Sequence, residues 1–292
     1  MITVAVVIVA FNSAATLEAC LRSVTVLLPR LAEAGYTVRT VVVDNASTDH
    51  SVALAKTYGA EVVCNTANVG FGPAVNRIRD DASDEFLLLI NPDAILLDGT
   101  LDLLNEAINK PQAAAVGGRI SRQSGRLHPN GFVSWPTAWS VFSERVAIYT
   151  GVTTLMRLLR LNQKPVPPTG WSHKVAHLNG ACLLLRTDAF RAVGGFDERF
   201  FLYLEETEMC RRLSTAGYDI VFVDVPTCVH IGGASTSEIA RLRLYEKGFR
   251  LFLSLDGQKA QVWIRTLMFP VELALAALFD CLRSWMRPRV PW

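Results

Sequence analysis

The chain has 292 residues, of which 50% are hydrophobic and 19% are charged, and its formal net charge at neutral pH is +2. This composition excludes an intrinsically disordered chain, and the near balance of charge argues against a protein that coats nucleic acid. The length suits one large domain or two smaller ones.

Charge and cysteine usage give two further indications. Residues 1–118 and 175–240 are net acidic, whereas residues 119–174 and 241–292 are net basic. The six cysteines are scattered without a Cys-x-x-Cys pair, which favours free thiols in a reducing, cytoplasmic compartment. The apolar N-terminus has no basic segment and no cleavage motif, so it is predicted to be a buried strand and not a signal peptide.

The first 118 residues alternate β-branched runs with stretches of helical periodicity. Strands are predicted at residues 2–9, 38–43, 61–64, 86–90 and 113–116. Helices are predicted at residues 14–31, 70–78 and 100–108, with a further helix capped by Ser47 or Asp49. This alternation predicts an α/β fold with a doubly wound, mostly parallel sheet.

The pattern changes after residue 118. A basic stretch with Trp and Pro follows, in which a helix is predicted from Trp139 to about residue 160. Strands are then predicted within 178–185, at 220–223 and at 228–230, and a helix carrying Glu205 and Glu206 lies between them. From about residue 237 onward the chain is predicted to be a helical C-terminal extension.

Short polar side chains follow four of the predicted strands. Asn12, Asp44 and Asn68 follow the first three, and Asn91 and Asp93 follow the fourth. Turn formation alone favours Asn and Asp, but it does not require carboxylates after the second and fourth strands. Because a doubly wound sheet binds ligands beyond the carboxyl ends of its strands, these residues are candidate ligands. Asp44 can accept the N3–H of a uracil or thymine, and Asp93 suits a hard divalent cation that shares its shell with phosphate.

Several common site motifs are missing from the sequence. The first loop is not Gly-x-Gly-x-x-Gly, and no Gly-x-x-x-x-Gly-Lys-Ser/Thr motif occurs, which argues against a dinucleotide dehydrogenase and a P-loop enzyme. His173 and His177 have the spacing of a zinc peptidase motif, but Lys174 stands where that motif needs a glutamate.

Taken together, the motifs of residues 2–250 resemble a family-2 glycosyltransferase of the GT-A type, and within that family bacterial rhamnosyltransferases of O-antigen and cell-wall assembly. The resemblance rests on residues 6–12, VVVDNASTDHS at 41–51, NVGFGPAVN at 68–76, NPDAIL at 91–96, the segment 178–219, and VHIGGAST at 229–236.

The resemblance implies a nucleotide and metal site at the sheet edge. The family's metal motif falls on Asn91-Pro92-Asp93, so Asp93 is expected to hold a divalent metal (Mg²⁺ or Mn²⁺), completed by His230. The base-reading aspartate falls on Asp44, and Asn12, Asn68 and Asn91 are expected to line the same nucleotide site.

The resemblance also implies a catalytic base and an acceptor site. The family's acidic pair falls on Glu205-Glu206, so Glu206 is expected to be the general base, with Glu205 as the alternative. Without the resemblance, acidic residues at a helix start would be explained by the helix dipole alone. Asp197 and Trp171 are expected to contact the acceptor, although a turn role for Asp197 and a core or membrane-facing role for Trp171 are the alternatives.

The expected function is an inverting, metal-dependent glycosyltransferase that moves L-rhamnose from dTDP-L-rhamnose to a lipid-diphosphate-linked sugar. The alternatives are a nucleotide-sugar-binding regulator without turnover and a sugar nucleotidyltransferase. Residues 1–118 are expected to form the nucleotide-sugar half and residues 119–236 the acceptor-side half of one domain.

Residues 237–292 are expected to form a helical region that holds the enzyme on the inner face of the cytoplasmic membrane without crossing it, since Arg265, Glu272 and Asp280 interrupt its apolar sequence. Arg283, Arg287 and Arg289, with Trp285 and Trp292, suit contact with anionic headgroups. Packing of this helix on the catalytic domain or on a second subunit, in a homodimer, is the alternative.

Overall fold

The computed structural model describes residues 1–79, 83–128, 130–132, 134–150, 171–232 and 238–286. By its internal contacts the chain forms two compact units. The first contains Met1–Ser134 and Pro167–Gly233, and the second contains Trp135–Val166 and Ala234–Trp292.

The first unit is built around one mixed sheet. Its strands are β1 Ile2–Ala10, β2 Tyr36–Asp44, β3 Glu61–Cys64, β4 Phe86–Ile90, β5 Ala94–Leu96, β6 Ala113–Arg122, β7 Leu127–His128, β8 Ser172–Lys174, β9 Cys182–Arg186 and β10 Asp219–His230. The order across the sheet is β3-β2-β1-β4-β9-β6-β10-β5, with β7 beside β6 and β8 beside β10. The pairs β3–β2, β2–β1, β1–β4 and β6–β10 are parallel.

Helices cover the parallel part of this sheet. They are α1 Ala14–Glu33, α2 Ser51–Thr57, α3 Phe71–Arg79 and α4 Thr100–Asn109, followed later in the chain by α6 Thr187–Ala192 and α7 Glu205–Thr215. The residues Val4–Ala10 of β1 are all buried, as expected for a central strand that is covered on both faces. On α1 the buried residues recur every three or four positions and join the same core, so the predicted doubly wound α/β architecture is confirmed.

Two features of the sheet differ from the predicted order. Strand β9 lies between β4 and β6 and is antiparallel to both, so the sheet is mixed at its centre. Strand β10 is continuous through Pro226, although two separate strands are predicted there. Its register against β6 shifts on either side of Pro226, and such irregularities let a sheet accommodate a residue without an N–H.

The second unit contains three described helices, α5 Ala138–Tyr149, α8 Glu238–Leu255 and α9 Lys259–Met286. Thr137 begins α5 with a reciprocal capping box to Ser140. Helix α9 packs on both α5 and α8. The helical character predicted from residue 237 is therefore present. The predicted end of α5 near residue 160 lies outside the described residues, as do Arg287, Arg289 and Trp292.

Buried charges lie inside this second unit. Arg265 and Glu272 of α9 are fully buried, and Arg265 pairs with Glu246 of α8 as well as with Glu272. Two less buried arginines complete the network, because Arg145 lies 3.6 Å from Glu272 and Arg250 lies 2.6 Å from Glu246. Arg265 and Glu272, two of the charges that interrupt the apolar sequence of α9, therefore face its neighbouring helices.

Candidate active site

The register of the sheet brings the predicted polar loops to one edge. Ala10 of β1 pairs with Asp44 of β2, which in turn pairs with Cys64 of β3. On the other side of β1, Ile8 pairs with Ile90 of β4. Because these pairs are parallel, the four loops that follow the strands leave the sheet side by side.

Among the described residues, one carboxylate oxygen of Asp44 is hydrogen-bonded and the other is not. The side chain is buried, and its Oδ2 accepts the backbone N–H of Ser47 at 2.9 Å. Its Oδ1 is buried without a hydrogen-bond partner among the residues that the structure describes. An unpaired buried oxygen is costly unless a ligand supplies a donor. The arrangement therefore fits the N–H group of a pyrimidine base.

Asn12 fixes the conformation of the neighbouring loop. It has a left-handed backbone (φ 49°), which asparagine tolerates better than most residues. Its Oδ1 accepts the N–H of Thr48 at 2.8 Å, and its own N–H donates to Oγ of Ser47 at 2.9 Å. Asn12 thus joins the loops after β1 and β2 beside Asp44.

The loop after β3 is held by Asn45, a residue that the sequence analysis did not single out. Its side chain donates to the carbonyl of Gly70 at 3.0 Å and accepts from Asn65 at 2.8 Å. Gly70 has φ +94°, and a Cβ there would lie 2.2 Å from the carbonyl oxygen of Phe201, so glycine is required. Asn68 accepts the N–H of Gly70 at 3.1 Å and so shapes this turn.

Asp93 and His230 come together through strand pairing. Strand β5 pairs with the end of β10, so that Ala94 lies opposite His230 and the N–H of Ile231 donates to the carbonyl of Asp93 at 2.9 Å. The two side chains meet at 3.1 Å between Nε2 and Oδ1. No group of three or more potential metal-ligating side chains occurs among the described residues. A carboxylate and an imidazole fit a cation whose remaining ligands are diphosphate and water oxygens.

Glu205 and Glu206 begin α7 after a strained turn. Tyr203 and Leu204 both have φ 71°, a conformation that costs free energy in residues other than glycine and clusters at functional sites. Glu205 is buried and its Oε2 has no hydrogen-bond partner in the described part of the chain. Glu206 is half-buried, so it is the more accessible of the pair.

Both glutamates are electrostatically perturbed. Burial raises the pKa of each carboxyl group above the ordinary glutamate value, and the charge of Glu206 raises the pKa of Glu205 further. Backbone N–H groups, including that of Gly180, lower the pKa of Glu206 and so offset part of its burial. A carboxylate with a raised pKa is a stronger base than an ordinary glutamate.

Gly180 connects the acidic pair to the metal motif. The N–H of Asn91 donates to the carbonyl of Ala181 at 3.1 Å, next to the residue whose N–H contacts Glu206. Pairing of β4 with β9, which sets Ile90 opposite Cys182, produces this proximity. The antiparallel strand β9 thus brings the Asn91–Asp93 segment and the start of α7 to the same edge.

The two residues predicted to contact the acceptor have different surroundings. Both carboxylate oxygens of Asp197 accept from Arg199, and this hydrogen bonding lowers the pKa of Asp197 against the opposing effect of burial. Trp171 is exposed, and its carbonyl accepts the N–H of Asp224 at 2.8 Å. Asp224 precedes His230 by six strand positions, or roughly 20 Å. The structure therefore does not bring Trp171 to the Asp93–His230 edge.

Comparison with known proteins identifies the family of the chain. The family model described as glycosyl transferase family 2 matches residues 5–193. The N-acetylglucosaminyl-diphospho-decaprenol L-rhamnosyltransferase of Mycobacterium tuberculosis is 30% identical over 249 residues, covering 74% of this chain and 75% of that protein. The rhamnosyltransferase WbbL of Escherichia coli K12 is 26% identical over 152 residues, covering 51% of this chain and 53% of that protein.

Solved structures confirm the expected fold. The crystal structure of GalNAc-T7 with UDP, GalNAc and Mn²⁺ superimposes with a TM-score of 0.60 and 16% identity, covering 87% of this chain and 48% of that one. The fold is the GT-A type, with C-terminal helices in addition. The family match also decides against a sugar nucleotidyltransferase and a binding protein without turnover. The chain is a glycosyltransferase and belongs to glycosyl transferase family 2.

Proposed function

We propose that this glycosyltransferase moves L-rhamnose from dTDP-L-rhamnose to a lipid-diphosphate-linked sugar, with inversion at the anomeric carbon. The single observation that supports the site assignment is the chain of contacts from Asp93 through Asn91, Ala181 and Gly180 to Glu206, which is the arrangement that a leaving-group site beside a base requires. The sugar and acceptor are proposed from the similarity to the mycobacterial rhamnosyltransferase.

The nucleotide is bound at the loops after β1, β2 and β3. The buried Oδ1 of Asp44, which has no hydrogen-bond partner among the described residues, accepts the N3–H of the thymine. Asn12 and Asn68 stabilise the surrounding turns. Asn91 lies where the diphosphate approaches the end of β4. Asp93 and His230 would hold a divalent cation, Mg²⁺ or Mn²⁺, which when bound neutralises charge on the departing diphosphate.

Glu206 acts on the acceptor. Its carboxylate takes the proton of the acceptor hydroxyl while that oxygen forms a bond to the anomeric carbon. The bond from the anomeric carbon to the diphosphate oxygen breaks, and the nucleoside diphosphate leaves with the bonding electrons. Burial and the charge of Glu206 raise the pKa of Glu205, which disfavours a second negative charge beside the base. Asp197 and Trp171 remain proposed acceptor contacts, Trp171 for a part of the lipid-linked acceptor away from the Asp93–His230 edge.

A lipid-linked acceptor places the reaction at the membrane surface. We propose a peripheral enzyme at the inner face of the cytoplasmic membrane, serving cell-wall or O-antigen assembly. Its nucleotide half is residues 1–118 and its acceptor-side half is residues 119–236, of which Trp135–Val166 group with the C-terminal helices in the second unit. Residues 237–292 supply the membrane-associated helical region.

A donor panel tests the proposal. Purified full-length protein is incubated with UDP-, GDP- and dTDP-sugars, with and without a lipid-diphosphate-linked N-acetylglucosamine and with and without a chelator, and products are identified by mass spectrometry. We expect transfer of rhamnose from dTDP-L-rhamnose, dependent on the lipid acceptor and abolished by the chelator. Transfer from only a UDP- or GDP-sugar would overturn the donor, and full activity in excess chelator would overturn the metal.

A further inference from the structure

The outer face of α9 carries no charge over four turns. From Trp263 to Leu278 the exposed residues are uncharged and, with one exception, apolar; they are Trp263, Ile264, Thr266, Leu267, Pro270, Val271, Ala274, Ala277 and Leu278. Trp263 and Leu267 are 72% and 75% exposed, so neither is covered by the rest of the structure. A continuous exposed apolar face of this kind marks a binding surface.

The two charged residues of the same stretch are turned inward. Arg265 and Glu272 are fully buried and pair with each other, and Arg265 also pairs with Glu246 of α8. Arg145 of α5 also forms an ion pair with Glu272 at 3.6 Å. By length and composition, Lys259–Phe279 is apolar enough to cross a membrane. With its charges hidden, the face that remains is more apolar than the sequence alone indicates.

Among the residues of α8 and α9 whose side chains the structure describes, the exposed charged residues are basic. In the described part of α8 the exposed charged residues are Arg241, Arg243 and Lys247, and in that of α9 the exposed charged residue is Lys259. Exposed cations on helices that also present an apolar face complement anionic lipid headgroups. Binding to a second protein does not require exposed cations, whereas binding to an anionic lipid surface does. The charges therefore favour a lipid surface as the partner of this face.

The packing also decides between lying on the bilayer and crossing it. Arg265 requires Glu246 beside it, so α9 cannot enter the hydrocarbon without bringing α8. That would carry the exposed Arg241, Arg243 and Lys247 into the bilayer, which is costly.

We propose that the uncharged face of α9, centred on Trp263, Leu267 and Val271, docks into the headgroup boundary of an anionic membrane, while the buried Arg265–Glu246–Glu272 cluster keeps charge away from that face. This inference rests on the proposed function insofar as the acceptor is lipid-linked. It identifies the docking surface as one face of a folded helix.

Vesicle binding by the full-length protein tests the proposal. Leu267→Asp is compared with Val26→Asp, an equally drastic change at a residue of α1 that is 71% exposed, so both variants have the same net charge. Sedimentation is measured with phosphatidylcholine vesicles with and without phosphatidylglycerol. We expect Leu267→Asp to weaken binding to the anionic vesicles about tenfold or more, and Val26→Asp to leave it unchanged. Leu267→Asn separates lost apolar contact from added charge and should also weaken binding.

Three results would overturn the proposal. They are unchanged vesicle binding by a Leu267→Asp protein whose melting temperature matches the parent, resistance of the bound protein to extraction at alkaline pH, and a lipid-free dimer that Leu267→Asp converts to a monomer. The second result would mean a spanning helix and the third an interface between copies. Hydrolysis of dTDP-L-rhamnose in the same samples reports on the proposed function separately, since it needs no membrane.

Discussion

Both units of the molecule bury charged side chains, but the two sets differ in whether their polar atoms have partners. In the first unit Asp44 and Glu205 each keep a buried carboxylate oxygen without a hydrogen-bond partner among the described residues. In the second unit Arg265, Glu246 and Glu272 satisfy one another. An unsatisfied buried polar group costs about 1–3 kcal/mol, whereas a paired set needs no ligand. The difference separates the carboxylates of the candidate site from the charges that hold helices together.

A buried polar group without a hydrogen-bond partner indicates a ligand site only if its position in the fold also fits one. Both ring nitrogens of His173 are also buried without a hydrogen-bond partner in the described part of the chain. This residue, however, lies on β8 against the ring of Phe222, near the start of β10 and far from its end at His230. An unpartnered group indicates a site only when it lies where other site residues converge, as Asp44 and Glu205 do.

The largest effect is expected at Asp93. Replacing it with alanine removes the carboxylate of the Asn91–Asp93 triplet, and rhamnosyl transfer should fall roughly a thousandfold or more because the leaving diphosphate loses its cation. Steady-state rates at saturating Mg²⁺ measure this. Asp98→Ala is the control, since Asp98 pairs at the surface with Arg30. Equal losses in both variants would refute a specific metal role for Asp93.

Arg265 tests the structural side of the contrast. Arg265→Met leaves Glu246 and Glu272 buried without their shared cation, which should lower the free energy of unfolding by about 3–5 kcal/mol. Urea titration of the full-length protein measures the loss. Arg250→Met removes a more exposed partner of the same Glu246 and should cost about 1 kcal/mol or less. If Arg250 mattered more than Arg265, burial would not be the deciding factor.

Asp44 tests whether the unpaired oxygen reads the base. Asp44→Ala should raise the KM for the donor about tenfold to a hundredfold with little change in kcat, because the contact is remote from the bond that breaks. The sharper comparison uses thymidine diphosphate and its N3-methyl analogue in calorimetry. The parent should discriminate against the methylated base and Asp44→Ala should not. Equal discrimination by both proteins would place the base elsewhere.

The smallest effect concerns pH. Folding raises the pKa of Glu205. At pH values between the unfolded and the folded pKa, the folded protein therefore binds a proton that the unfolded chain releases. Stability is therefore full below the ordinary glutamate pKa and falls as pH rises through the folded value, by about 1.4 kcal/mol for each pKa unit. Glu205→Gln fixes the neutral form, so its stability should fall less with rising pH than that of the parent. A steeper fall in the variant would contradict the assignment.

Much of the catalytic fold was predictable because hydrophobic periodicity reports burial directly. Strands β3 and β4 begin and end at the predicted residues, and the polar residues that follow the parallel strands lie together as their register requires. The direction of β9 was not predictable, since an apolar run reads the same in either orientation. Yet β9 follows directly on Gly180 and Ala181 and brings them between the proposed metal motif and the proposed base.

The remaining site features depend on contacts distant in sequence. In the sequence, nothing distinguishes Asn45 from other loop asparagines. Its role follows only from its hydrogen bonds to Gly70 and Asn65, which are distant in sequence. Likewise, Arg265 and Glu272 interrupt an apolar run in the sequence, and only the packing of α8 against α9 turns them into an internal ion cluster. Periodicity identifies a buried face but not the partner of each charge.

If Glu206 is the base of the transfer reaction, two measurements on Glu206→Gln test this role most directly. The variant keeps the shape of the side chain but cannot take a proton, so kcat at saturating dTDP-L-rhamnose and lipid acceptor should fall about a hundredfold or more. The Kd for thymidine diphosphate, measured by calorimetry on the same sample, should stay at the parent value, and Glu205→Gln should retain turnover. An active Glu206→Gln protein beside an inactive Glu205→Gln protein would contradict the claim and move the base by one residue.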